Sequence, residues 1–182
     1  MTTYNITWLL EKYDKGETLK FLFFWGHTNK YNETIGKFCF SQWAEYAFTV
    51  DGITYKTAEH WMMAKKALLF NDTVHFEKII EAQTPHEAKE LGRKVTDYEE
   101  TIWNKHKFEI VVEGNFHKFS QNPPLATYLL QTQERVLVEA SPVDAIWGIG
   151  LPADHVHSAN PHHWRGENLL GFALMEVRDK LM

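Results

Sequence analysis

The feature that most constrains the fold of this chain is a change of pattern after residue 55. Asp51-Gly52, the strongest short hairpin signal, lies between two β-prone segments, residues 47–50 and 53–55. From Thr57 onward, helix-capping residues alternate with apolar residues at helical spacing. The predicted helices cover residues 57–70, 72–82, 98–120, 123–130 and 167–181, and Thr84-Pro85 begins another.

Strand signals are fewer and shorter than the helix signals. Residues 19–25 are typical of a largely buried strand that ends at Gly26, and residues 135–139 of a brief strand. The first third of the chain is therefore expected to be β-rich, and residues 141–150 to form turns. Together these patterns predict an α+β fold, a mainly helical single domain over residues 1–182 with a small antiparallel sheet or hairpin near the N-terminus.

Composition excludes several classes of protein. Aromatic side chains make up 14% of the 182 residues and the net charge is only −5, so the chain is not disordered. No apolar run is long enough to cross a membrane, and no signal peptide is visible. The single Cys39 cannot form an internal disulfide, which suits the cytoplasm. The acidic balance argues against a general nucleic-acid-binding surface, and we expect no membrane partner.

The first candidate site is the segment Thr57–Lys66. At helical spacing, Glu59 shares one stripe with Lys66 and with two methionines between them. A carboxylate near a helix N-terminus, beside apolar groups, can act as an acid, a base or a stabiliser of a cation. Lys66 lies about 10 Å further along the axis, so direct pairing with Glu59 is not expected. The alternative is a first-turn Glu that only favours the helix dipole, with a solvated Lys.

The second candidate site lies in the turn-rich segment 138–150. Asp144 stands one helical turn before Trp147, while Gly148 and Gly150 let the backbone approach a ligand closely or simply form tight turns. The segment lacks the third glycine and the strand–helix context of a dinucleotide-binding motif. Asp144 is either a cap or turn residue or a functional one, because site residues often lie in such loops.

A third group combines one aromatic ring with two cations. Trp103 and Lys107 are four residues apart on the long predicted helix, so they meet on one face, and Arg93 precedes that helix. Such a group can clamp a nucleobase or a phosphate. The alternative is a core Trp with the Lys stem extended along its edge.

Other catalytic and metal-binding patterns are weak. The ten histidines include His155, His157, His162 and His163 in one loop, but no His-Glu-x-x-His motif and no cysteine partner accompanies them. No nucleophile elbow, no phosphate-binding loop and no base beside Cys39 is visible. We therefore expect no metal and no cofactor.

Taken together, the motifs resemble those of the NADAR family from about Phe24 to Arg178. Seven ordered blocks carry this resemblance, and any one block alone would be weak evidence. The blocks are Phe40-Ser41-Gln42-Trp43, Tyr55-x-Thr57-Ala58-Glu59-His60, Glu87-Ala88-x-x-Leu91-Gly92-Arg93, Trp103-x-x-x-Lys107, Gly114-Asn115-x-x-Lys118-Phe119-x-Gln121-Asn122-Pro123, Leu137-Val138-Glu139-Ala140-Ser141-Pro142-x-Asp144-x-x-Trp147-Gly148-x-Gly150 and Trp164-x-Gly166-x-Asn168-x-Leu170-Gly171-x-x-Leu174-Met175-x-Val177-Arg178. Family members often carry Asn-Phe at Gln42-Trp43, and Gln and bulky aromatics at Met62 and Met63.

The resemblance implies a compact, mainly helical fold and metal-independent hydrolysis of an N-glycosidic bond. The family's substrates are early riboflavin intermediates, in which a pyrimidine amine is joined to ribose 5-phosphate, and ADP-ribosylated guanine. By position, the family's catalytic Glu and Asp fall on Glu59 and Asp144, and its Lys seven residues after the Glu falls on Lys66. The predicted substrate-binding residues are Trp103, Lys107, Arg93, Trp147, Gly148 and Asn168.

Three hypotheses follow for the function. The first is an N-glycosidase acting on a ribosylated base, either by direct attack of water or by attack of the Lys66 amine with a Schiff-base intermediate. The second is a non-catalytic module that binds ADP-ribose or a related nucleotide, and the third is a His-dependent metallohydrolase. Two candidate carboxylates favour the first hypothesis. The expected partner is a small nucleotide-like molecule or an ADP-ribosylated guanine base.

Overall fold

The computed structural model describes residues 3–29 and 34–182 of the chain. Within these residues the chain forms seven α-helices and four short strands, which confirms the predicted mainly helical α+β fold. The helices are α1 (Ile6–Asp14), α2 (Ala58–Leu69), α3 (Thr73–Glu81), α4 (Pro85–Gly92), α5 (Glu100–Ser120), α6 (Pro123–Leu130) and α7 (Leu169–Lys180). The strands are β1 (Phe21–Phe24), β2 (Phe48–Val50), β3 (Ile53–Tyr55) and β4 (Val136–Glu139).

The helix boundaries follow the cap residues. Thr57, Asp72 and Thr84 each accept a hydrogen bond from the backbone N–H three residues later, at the starts of α2, α3 and α4. Pro85 occupies the first position of α4, where its missing N–H costs nothing. Helix α1 was not predicted, and the first third is less β-rich than expected because Asn5 caps a nine-residue helix there. None of the described helices combines the length and apolar character needed to cross a membrane.

The strands form two separate pairs. Strands β2 and β3 pair antiparallel, with Asp51 and Gly52 both at positive φ in the turn, as predicted for this hairpin. Residues 19–25 do contain a strand, but the prediction that it is largely buried is wrong. Only Phe24 of β1 is buried, and the following Trp25 is 59% exposed. Strand β1 pairs in parallel with β4, from Phe21 opposite Val136 to Phe24 opposite Glu139, so β1 lies at the edge of a two-stranded sheet.

The described chain divides into two compact units, and a single domain over residues 1–182 stays a prediction. The first unit consists of Met1–Ser41 and Pro124–Met182. Its core is strand β4 with helix α7 packed on it. Gly171 permits this close approach, since a Cβ at that position would lie 2.1 Å from the Leu137 carbonyl oxygen.

The second unit consists of Gln42–Pro123 and is built around α2. Helices α3, α4 and α5 all pack against α2, so residues on every side of it are buried. Trp61 of α2 donates from its indole N–H to the Ile110 carbonyl of α5 at 2.8 Å. Gly114 lets the two helices approach, because a Cβ there would lie 2.3 Å from the Trp61 ring. This central helix carries two of the predicted catalytic residues.

Candidate active site

Glu59 lies in the first turn of α2 and is only 3% exposed. Its backbone N–H donates to the Gln42 carbonyl at 3.0 Å, which satisfies one of the free donors at the helix start. The residue therefore stands at the positive end of the helix dipole and out of bulk water. A buried carboxylate in this setting can stabilise positive charge that develops on a bound molecule.

Lys66, near the other end of α2, is held by a carbonyl group and two aromatic rings. Its Nζ donates to the Gly92 carbonyl at 2.8 Å and lies 4.3 Å from the Tyr98 ring centre and 5.8 Å from that of Trp103. Burial lowers the pKa of the Lys66 side chain. A lowered pKa increases the fraction of neutral amine, which is the nucleophilic form. Lys66 is therefore half-buried and bonded to protein groups, and its catalytic role stays a prediction.

The predicted clamp of one ring and two cations is only partly assembled. Trp103 and Lys107 both lie on α5, and Trp103 is half-buried beside Lys66. Lys107 is 8% exposed and has no ion-pair or hydrogen-bond partner among the residues that the structure describes. Arg93 instead follows the end of α4, is exposed, and pairs with Glu90. The Lys107 stem is buried, but its Nζ is not among the buried unpaired atoms, so the ammonium reaches solvent, where it can bind a phosphate.

Asp144 lies half-buried in a loop of the first unit, where it organises a turn. Its Oδ1 accepts hydrogen bonds from the backbone N–H groups of Ile146 at 2.9 Å and Trp147 at 2.8 Å. Its carbonyl accepts from Gly150 at 3.1 Å. These bonds are those of the turn residue considered in the sequence analysis. A catalytic role for Asp144 stays a prediction.

Two further predicted binding residues hold this loop against β4. Gly148 is buried, and a Cβ there would lie 2.8 Å from the Glu139 carbonyl oxygen, so its small size serves backbone packing. The side chain of Asn168 is fully buried, accepts from the Glu139 N–H and donates to the Leu137 carbonyl, both at 2.9 Å. Trp147 is half-buried in the same loop. The geometry thus gives Gly148 and Asn168 a supporting role for the loop, and binding by either stays a prediction.

Sequence reasoning missed three residues that the structure places beside the candidates. Tyr98 precedes α5, so helical spacing does not connect it with Trp103, yet its ring covers the Lys66 ammonium.

Gln42 and Asn115 form a buried amide pair in which Asn115 Nδ2 donates to Gln42 Oε1 at 2.7 Å. The detectable signal was an Asn in the middle of a long helix, because Asn is a poor helix former unless its side chain is bonded.

The remaining features of the described residues that bear on ligand binding are the histidine loop and a cleft in the first unit. Across residues 3–29 and 34–182, no three His, Cys, Asp or Glu side chains are grouped so as to hold a metal ion. In the histidine loop, the rings of His157 and His163 stack 4.2 Å apart. A cleft of about 830 Å³ in the first unit is lined partly by Trp8 and Arg178, but by none of the predicted site residues.

Comparison with known proteins gives consistent matches over most of the chain. The model of the NADAR domain matches residues 23–182. N-glycosidase R617 of Acanthamoeba polyphaga mimivirus is 48% identical over 169 residues, covering 90% of this chain and 98% of the relative. N-glycosidase YbiA of Escherichia coli (strain K12) is 33% identical over 142 residues, covering 78% of this chain and 80% of the relative. The NMR structure of the E. coli protein YbiA is similar with a TM-score of 0.69 at 28% identity, covering 90% of this chain and 87% of that one.

Proposed function

The chain belongs to the NADAR family, and on this premise we propose that it is an N-glycosidase that hydrolyses the bond between a ribose and a nitrogenous base. Relatives that are 48% and 33% identical carry the name N-glycosidase and are matched over most of their length. Cleavage of an N-glycosidic bond needs a stabilised sugar cation and a protonated leaving base, which protein side chains can supply.

The observation that carries the proposal is the burial of Glu59 at the start of α2. As the bond to the base lengthens, positive charge builds on the ribose C1 and ring oxygen. An ionised carboxylate stabilises that charge more strongly in a water-excluded site than at the surface. Glu59 is 3% exposed, and its backbone is fixed by the Gln42 carbonyl. This setting supports Glu59 as the group that stabilises the sugar cation or orients the attacking water.

Trp103 and Lys107 support binding of the two ends of such a substrate. A half-buried indole ring offers a face on which a flat base can stack. Lys107, four residues further along α5, has a mostly buried stem and carries a cation suited to the phosphate of a ribose phosphate or of ADP-ribose. A flat base and a phosphate occur in both substrate classes, the early riboflavin intermediates and ADP-ribosylated guanine.

Lys66 supports a second route to the same products. Its neutral amine can attack the ribose C1 as the bond to the base breaks, and the departing base takes up a proton. Opening of the sugar ring then gives a Schiff base, which water hydrolyses to free the amine and release the sugar. The lowered pKa of Lys66 favours the neutral amine that this route requires.

The proposal is tested by following free base by chromatography with both substrates, for the wild type and for Glu59→Gln. We expect release of base from at least one substrate by the wild type, with a loss of at least about 10²-fold in kcat for Glu59→Gln. Glu77→Gln, the same change at an exposed position of α3, is the matched control and should retain wild-type turnover. Near-normal turnover by a folded Glu59→Gln variant would remove the catalytic assignment.

The same assay separates catalysis from binding alone. A non-catalytic reader of ADP-ribose would be stabilised by the ligand against thermal unfolding yet release no base over long incubation. Stabilisation without product from either substrate would therefore replace the enzyme proposal with the binding one. Activity that disappears with chelator and returns with a metal would instead support a metallohydrolase.

A further inference from the structure

The start of α2 is connected to the middle of α5 by a series of hydrogen bonds that passes through the side chain and backbone of Gln42. The Val111 carbonyl accepts from Asn115 Nδ2 at 2.9 Å, and the same nitrogen donates to Gln42 Oε1 at 2.7 Å. The Gln42 carbonyl then accepts from the Glu59 N–H at 3.0 Å. The series therefore ends on the backbone of the candidate catalytic carboxylate.

Every side chain in this series is withdrawn from water. Asn115 is 0% exposed, Gln42 is 6% exposed and Glu59 is 3% exposed. Hydrogen bonds in such a setting are stronger than at the surface and fix rotamers closely. Gln42 is bound at its side-chain oxygen and again at its backbone carbonyl, so it has little freedom to move relative to α2 or α5.

The amide pair is costly for stability alone. Gln42 Nε2 and Asn115 Oδ1 are buried and have no hydrogen-bond partner among the described residues. A buried polar group left unpaired lowers stability, and an Asn within a helix is less favourable than Leu or Ala. A pair of well-packed apolar side chains would stabilise this interface better. Residues that lower stability in the interior are expected where function requires them.

We infer that Asn115 is a positioning residue for Glu59 and acts through Gln42. The bond from Asn115 fixes Gln42, and Gln42 fixes the second residue of α2, so the carboxylate of Glu59 is held where the sugar cation forms. A displacement of a catalytic group by about 1 Å is enough to lower the rate of catalysis by about 10²-fold. The expected effect on turnover rests on the proposed function. The expected effect on the position of Glu59 concerns the folded chain alone.

The test compares Asn115→Leu and Gln42→Met, which keep size but remove the amide, with Asn104→Leu, the same change at an exposed position of α5. We expect the first two variants to lower kcat by about 10- to 100-fold with KM within about threefold. The double variant should lose no more than the larger single effect, because both changes break one series of bonds. Asn104→Leu should behave as the wild type.

Amide hydrogen exchange gives a readout that needs no turnover. The Glu59 N–H should exchange at least about tenfold faster in Asn115→Leu, while the Met63 N–H inside α2 keeps its wild-type protection. Unchanged Glu59 protection would overturn the inference. Equal loss of protection throughout α2, with kcat falling only in proportion to the folded fraction, would also overturn it by showing a purely structural role. Absence of base release by the wild type refutes the proposed function, and the exchange data still decide the positioning role.

Discussion

Replacing Asp72 with Asn should lower the free energy of unfolding by about 3 kcal/mol at pH 5. Asp72 caps α3 and also ties down the segment after α4. Its Oδ1 accepts from the His75 N–H at 2.9 Å, and its Oδ2 accepts from the Thr96 N–H at 2.8 Å, the Thr96 hydroxyl at 2.9 Å and the His75 ring at 2.7 Å. The carboxylate is therefore surrounded by donors while being only 7% exposed.

The expected loss of stability follows from how many of the carboxylate's hydrogen bonds an amide can still accept. Asn offers one acceptor oxygen, so either the His75 N–H or the Thr96 N–H faces an NH₂ group and loses its partner. An unpaired, poorly exposed donor costs about 1–3 kcal/mol. The bonds that survive lose the contribution of the carboxylate charge, which makes such bonds about twice as strong as neutral ones. The unpaired donor and the weaker surviving bonds together give about 3 kcal/mol.

The pH dependence has a definite sign. The bonds from Thr96 and His75 hold the pKa of the Asp72 carboxyl well below its usual range. A depressed pKa in the folded state gives stability that is fully present above the unfolded pKa, about 3.9, and is lost as the pH falls below it. At pH 3 this linkage removes about 1.3 kcal/mol of the wild-type advantage. The difference between wild type and Asp72→Asn should therefore shrink to about 1.7 kcal/mol.

Urea unfolding at pH 5 and pH 3 measures both quantities. Both pH values lie below the ordinary histidine pKa, so histidine titration contributes little to the comparison. Asp154→Asn, an exposed carboxylate of the histidine loop, is the matched control and should change stability by less than about 0.5 kcal/mol. A difference below about 1 kcal/mol at pH 5, or one that does not shrink at pH 3, would refute the reasoning.

Two further predictions concern α2. Gly114→Ala should lower the free energy of unfolding by about 1–3 kcal/mol, because the new Cβ would lie 2.3 Å from the Trp61 ring; an unchanged urea midpoint would contradict this. Borohydride added during turnover should trap a covalent sugar adduct on the wild type and on Lys65→Met, but not on Lys66→Met, as detected by mass spectrometry. An adduct on Lys66→Met, or none on the wild type, would exclude the Schiff-base route through Lys66.

The helices from α2 onward could be predicted because their signals are local, whereas α1 was missed although Asn5 caps it in the same way. Thr57, Asp72 and Thr84 bond the backbone only three residues away, so the sequence around each cap contains the whole interaction. The parallel pairing of β1 with β4 has no such signal, since Phe21 and Val136 are far apart in the chain and either strand could pair elsewhere. Burial of β1 was overestimated because apolar composition does not show which strand of the pair a helix will cover, and α7 packs on β4, which is buried.

Helical spacing predicted which side chains of α2 share a face, but it missed contacts that are made by backbone groups. Spacing placed Lys66 too far along α2 for direct pairing with Glu59, and its Nζ bonds the Gly92 carbonyl. It could not indicate the partner of Lys66, because a carbonyl at the end of another helix has no side-chain signature. The segment before α5 brings Tyr98 to the same ammonium, and that segment is held by Asp72 through Thr96.

Gly92 makes contacts that residue type alone did not indicate. In the segment Leu91-Gly92-Arg93 the charged Arg93 is exposed and paired with Glu90, and its role in binding stays a prediction. Gly92 makes the contacts to α2. A Cβ there would lie 2.1 Å from the Met63 sulfur, and its carbonyl, at the negative end of the α4 dipole, accepts from Lys66. The smallest residue of the motif thus sets both the distance between α4 and α2 and the position of the candidate nucleophile.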